Sequence, residues 1–119
     1  MSMITRYFNR FPHAIRGLTY GFKNDFGIRT QLYLAILVGM STCYFLTPLS
    51  STELLFVVLA CTLIIITELQ NSALEAALDK LHPELHDTIK HSKDMAAAAV
   101  LVAGIFLLIT LVVVALPRL

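Results

Sequence analysis

Glu68 and Glu75 stand seven residues apart, with Asn71 and Ser72 between them and Asp79 four residues beyond. They follow an unbroken apolar run from Leu54 to Ile66, with Thr62 its only hydroxyl, and neither Gly nor Pro interrupts the chain as far as Asp79. One helix is predicted to carry the whole stretch. At about 100° per residue, the step from Glu68 to Glu75 falls about 20° short of two turns, so both carboxylates share one face roughly 10 Å apart. Asn71 lies about 60° to one side of that line, Ser72 about 40° to the other, and Asp79 about 20° past it. A carboxylate near hydrocarbon costs at least about 2.5 kcal/mol, so Glu68 calls for a reason. Placing it in water would leave the helix only about 15 residues for a bilayer that needs about 20. Asp79, in contrast, reads well as a solvated helix end. Clustered acids without His or Cys suit a hard cation such as Mg²⁺, held together with phosphate oxygens. A metal, positive charge on the phosphates and a base on the acceptor hydroxyl are the parts that phosphoryl transfer needs. A membrane-embedded acid can serve as such a base, since burial raises its pKa toward neutrality.

The elements that must position these residues follow from composition. The chain has 119 residues, 57% of them hydrophobic and 14% charged, with no Trp. Soluble domains carry about 25% charged residues, so this reads as a single-domain, all-α membrane protein. A net charge of +1 predicts no nucleic-acid partner. Cys43 and Cys61 lie in apolar runs and read as small buried fillers. In residues 1–27, Ile4, Phe8, Phe11, Ile15, Leu18 and Phe22 recur at steps of three and four, with Arg6, Arg10, His13, Arg16 and Lys23 largely between them. That pattern predicts an amphipathic helix on the membrane surface. Pro12 predicts a short turn before it and a main helix from about Pro12 to Phe22. Gly17 and Gly21 weaken that helix and offer close packing.

Three spans are expected after it, at 28–47, 53–78 and 93–116, with a polar connection over 79–92. Asp25 and Arg29 are spaced to pair on one helix face; Asp25 is equally a ligand candidate beside the acids of the second span. Pro48 ends the first span, and Ser51 or Thr52 is expected to cap the next. Lys93 and Asp94 precede four alanines, whose small side chains let helices approach and would bring that pair against the acidic face. His82, His86 and His91 read as solvated loop residues rather than zinc ligands. Of the nine Lys and Arg, all but Arg118 fall in the N-terminal segment or the 79–93 stretch. That side is therefore expected to be cytoplasmic, with the C-terminus outside. The chain has no G-x-x-x-x-G-K-[ST] and no G-x-G-x-x-G, so a nucleotide site here would be built differently.

The residues Glu68-Leu-Gln-Asn71-Ser72-Ala73-Leu-Glu75, then Asp79, then Lys93-Asp94-Met-Ala-Ala-Ala-Ala-Val resemble the small prokaryotic integral-membrane diacylglycerol kinase family, which includes undecaprenol kinases. The family pattern is E-x-x-N-[ST]-A-x-E, an Asp four residues later, and a Lys-Asp pair about fourteen beyond. The resemblance covers nearly the whole chain. It implies a homotrimer in the bacterial inner membrane, each subunit with three transmembrane helices and a surface helix, and active sites between subunits. It implies transfer of the ATP γ-phosphate to a lipid hydroxyl with Mg²⁺ as cofactor. Glu68 would be the base, and Glu75 and Asp25 the metal ligands. The family has Glu at the position of Asp25, so this chain's shorter side chain departs from the pattern. Arg6, Arg16, Glu84, His86, Lys93 and Asp94 would contact ATP, together with Asp25 and Glu75. Asn71, Ser72, Asp79 and Arg29 would bind substrate or organise the site. Diacylglycerol is the expected acceptor, with undecaprenol as the alternative. Two further readings stay open. A small multidrug transporter would also be short and helical, but needs four spans and a Glu in the first. A family member made inactive by Asp25 is the other.

Overall fold

The computed structural model describes residues 2–84 and 86–119. Met1, at the head of the expected 1–27 segment, and Leu85, within the expected 79–92 connection, lie outside them. Four helices follow in order: α1 (Met3–Asn24), α2 (Phe26–Phe45), α3 (Ser51–Leu81) and α4 (Asp87–Ala115), with a 3₁₀ turn over Leu116–Arg118. No strand occurs among the described residues. At about 1.5 Å per residue, the 31 residues of α3 extend about 46 Å. By length and composition, α3 and α4 are each long and apolar enough to cross a membrane.

The core is a narrow seam. On α3 the buried residues are Val57, Ala60, Ile64 and Glu68, at steps of three, four and four. This is one stripe of the helix surface, and its last member is the candidate base. α2 contributes Ile28, Ala35 and Thr42, and α4 contributes Ala103, Thr110 and Val114. Small residues at the crossings let the backbones approach. The buried hydroxyls satisfy themselves within their own helices. Thr42 Oγ1 donates to the Val38 carbonyl at 2.7 Å and Thr110 Oγ1 to that of Phe106 at 2.9 Å, the arrangement that lets threonine sit in an apolar setting. Outside the seam large apolar side chains stay uncovered, among them Leu55, Leu101, Leu108 and Val113.

Several details differ from the sequence expectation. α1 runs unbroken through Pro12. The Phe8 carbonyl, which proline denies its helical partner, lies on a wholly exposed segment, where solvent or headgroups can serve it. Gly21 is the close approach between α1 and α2: a Cβ there would stand 2.8 Å from Ile28 Cδ1, whereas one on Gly17 would meet nothing. Phe22 on α1 adds an edge-to-face contact with Tyr33 on α2, centroids 5.8 Å apart. α4 begins at Asp87, so Thr88 to Ser92 form helical turns rather than loop. Cys43 is exposed on α2 and Cys61 half-buried.

α3 is capped by Ser50, one residue before the expected position. Ser50 Oγ accepts from Glu53 N at 3.1 Å, and Glu53 Oε1 accepts from Ser50 N at 2.9 Å, closing a reciprocal capping box. Ser50→Ala is expected to destabilise the fold by about 1 kcal/mol, measurable as earlier unfolding in an SDS titration, with no change in catalytic rate.

Candidate functional site

The site begins where α1 ends. Asp25 is the single non-helical residue between α1 and α2. Its N–H closes α1 onto the Gly21 carbonyl at 2.9 Å, and its Oδ1 accepts from Ile28 N at 2.8 Å, capping α2. A short carboxylate suits this duty, since Asp is among the favoured N-cap residues. The cap also removes the expected Asp25–Arg29 pairing on one helix face, because Asp25 stands outside both helices. Arg29 is half-buried in the first turn of α2.

Glu68 reaches this junction from α3. It is only 9% exposed, and its carboxylate lies against the Cα of Gly27 in the opening turn of α2. Amides and dipole at a helix start favour a negative charge. The charges that act on Glu68 are those of Asp25 and Glu75. Thus α3 supplies two carboxylates and the α1–α2 junction a third. One helical turn past Glu68, Asn71 Oδ1 is buried with no hydrogen-bond partner. A buried acceptor left unpaired costs about 1–3 kcal/mol. Ser72 is half-buried beside it, and Glu75 is exposed.

α4 adds the positive charge. Lys93 Nζ pairs with Asp79 Oδ1, and Glu75 also acts on it. Asp94, the next residue, is exposed. Lys93 therefore stands at the end of the acidic face, while Ala97, Ala98 and Ala99 after it are exposed. The connection between α3 and α4 holds Glu84 between two imidazoles, His82 Nδ1 and His86 Nε2, each 3.7 Å from Oε1. Among the described residues, no three His, Cys, Asp or Glu converge closely enough to hold a metal by themselves.

Two expected residues are not brought to the acids. Arg6 and Arg16 sit on exposed turns of α1, and Arg16 is engaged with His13 Nδ1. Sequence reasoning also passed over a cluster at the opposite end of the bundle. Arg118 donates to both Glu53 oxygens at 2.7 and 2.9 Å, and to the carbonyls of Val114 and Pro48 at 2.6 Å each. This fork ties the end of α4 to the α2–α3 turn. The available signal is that, with three expected spans, the 47–53 connection and the C-terminus fall on the same side, where Arg118 is the one Lys or Arg.

Comparison with known proteins bears on this constellation. A family model described as prokaryotic diacylglycerol kinase matches residues 12–115. A diacylglycerol kinase of Pseudomonas aeruginosa is 34% identical over 100 residues, covering 84% of this chain and 80% of that protein. One from Haemophilus influenzae is 29% identical over 100 residues, covering 84% and 83%. An undecaprenol kinase of Bacillus subtilis is 31% identical over 118 residues, covering 98% and 93%. The matched span contains both glutamates of α3, the Asp25 junction and the Lys93 turn, and with them the chain belongs to the prokaryotic diacylglycerol kinase family and is a lipid kinase.

Proposed function

We propose that this chain transfers the γ-phosphate of ATP to the hydroxyl of diacylglycerol, with Glu68 as the general base. The observation that carries the reading is the burial of Glu68 at the end of the core seam, against the first turn of α2. A carboxylate there meets the membrane side of the protein, where a lipid hydroxyl arrives, and is shielded from competing water. Its oxygen accepts the hydroxyl proton as the lipid oxygen bonds to the γ-phosphorus and the bond to the departing ADP breaks. The orphaned Asn71 Oδ1 accepts a hydrogen bond from substrate. Lys93 places positive charge beside the phosphates, and Asp79 holds that ammonium in place.

A metal–nucleotide requirement accompanies kinase chemistry, and the donors here fit Mg²⁺. That ion keeps several waters and takes only one or two protein carboxylates alongside phosphate oxygens. Glu75 and the free oxygen of Asp25 would hold it, and when bound it neutralises charge on the β- and γ-phosphates. Ser72 and Arg29 flank these groups, and Glu84 and His86 face the nucleotide from the loop.

In this reading α2, α3 and α4 all span the bacterial inner membrane, with the site at the cytoplasmic boundary and α1 along the surface. Exposed Phe8 and Phe11 on one side of α1 support that placement. Three copies assemble and cover the apolar surface that one chain leaves open. Arg6 and Arg16, remote from the acids of their own chain, then serve the phosphates of a neighbouring copy.

Undecaprenol is the second acceptor, favoured by the alignment to the Bacillus subtilis undecaprenol kinase over 118 residues. Purified protein in mixed micelles with Mg²⁺ and γ-labelled ATP decides between them. Label in phosphatidic acid is the expected result. Label confined to undecaprenyl phosphate would keep the chemistry and replace the acceptor, and label in neither lipid would overturn the proposal.

A further inference from the structure

Gly27 has no backbone reason to be glycine. It sits within α2, and no glycine of the described chain has a positive φ. Glycine inside a helix is less favourable than alanine. What distinguishes the position is its surroundings. A Cβ built on Gly27 would collide with Glu68 Oε1, and would stand 3.3 Å from Glu68 Cδ and 3.2 Å from Asp25 Oδ1. By comparison, a Cβ on Gly39, farther along the same helix, would meet nothing within 4 Å. The space left by the missing methyl is where the Glu68 carboxylate rests.

We infer that Gly27 is a positioning residue for phosphoryl transfer: by omitting a side chain, it lets the Glu68 carboxylate seat against the first turn of α2. The inference rests on the reading of Glu68 as the base. The group that would collide is the far end of a flexible side chain, so a methyl at position 27 displaces the carboxylate without disturbing the backbone. Asp25 yields less, because its Oδ1 is tied to Ile28 N. The consequence is a kinase that folds normally and has its base out of place.

The test is Gly27→Ala in the full chain, in detergent micelles, with kcat and both KM values measured against ATP and diacylglycerol. A base misplaced by about 1 Å lowers kcat by roughly 10- to 100-fold. KM for each substrate is expected to stay within about threefold, since binding is untouched, and thermal stability to stay equal or rise. The decisive comparison is with Glu68→Asp, whose carboxylate is withdrawn by one methylene. Adding Gly27→Ala to Glu68→Asp is expected to lower kcat no further, because the collision has gone. Wild-type kcat in Gly27→Ala overturns the inference. So does a double variant that loses both factors in full, which would place the effect of the methyl on Asp25 instead. Glu68→Gln separates this failure from that of the underlying reading: if it abolishes turnover while Gly27→Ala does not, the base stands and the positioning role falls.

Discussion

Replacing Glu68 with Gln is expected to lower kcat for lipid phosphorylation by roughly 10²–10⁴-fold, the usual worth of a positioned general base, with the fold intact. Gln fills the same space against Gly27 and keeps the shape of the seam that Val57, Ala60 and Ile64 begin. It removes the capacity to take a proton. It also removes a negative charge from beside Asp25 and Glu75, so stability is expected to hold or to rise, since an unpaired buried charge is costly. Circular dichroism and unfolding in SDS check the fold, and initial rates with saturating ATP check the chemistry. Undiminished turnover in a folded Glu68→Gln variant would transfer the base to another group, with Glu75 the first to examine.

The second large effect concerns Asp25, whose observed cap and proposed metal ligation can be separated. Asparagine caps a helix about as well as aspartate, whereas alanine forfeits about 1 kcal/mol. Asp25→Asn therefore keeps the hydrogen bond to Ile28 N and loses the charge; Asp25→Ala loses both. Removing even the outer partners of a metal ligand costs roughly 10–100-fold in affinity, so losing the charge of a ligand is expected to cost at least that. For both variants the Mg²⁺ concentration giving half-maximal rate should rise by that factor, but only Asp25→Ala should also unfold earlier. If Asp25→Asn matched the wild type in its Mg²⁺ dependence, Asp25 would be a cap alone, and Glu75 would hold the ion without it.

The acidic face of α3 was legible because helical geometry converts spacing into direction without help from the rest of the fold. Glu68, Asn71 and Glu75 needed only an uninterrupted helix, and α3 provides one from Ser51 to Leu81. The partners of that face were legible only in part. Lys93 was expected near it from the alanines that follow, but Ala97, Ala98 and Ala99 are exposed and its companion proved to be Asp79. Asp25 as a cap was not legible, since the same residue at the same spacing from Arg29 fits a continuous helix as well as a break. Pro12 misled because the rule against proline in helices assumes that the lost hydrogen bond goes unreplaced, which an exposed surface helix escapes. The Arg118–Glu53 fork joins residues 65 apart in sequence, and no local pattern reports such a contact. Gly27 was invisible for a similar reason: its importance lies in the space it leaves to a residue on another helix.

That Glu68 closes the buried stripe of α3 has a consequence, under the proposed function, for how membrane thickness would bear on turnover. α2 has 20 residues and extends about 30 Å, close to the hydrocarbon thickness of an ordinary bilayer, while α3 exceeds it. In a thinner or thicker membrane the two helices cannot adjust alike. α3 has turns to spare at its ends, whereas α2, spanning as proposed, would tilt or shift to keep its ends at the interface. Any such shift would slide Gly27 past Glu68 along the seam. Under the proposed function, bilayer thickness would thereby act on the alignment of the base, through helix register rather than through lipid headgroup chemistry.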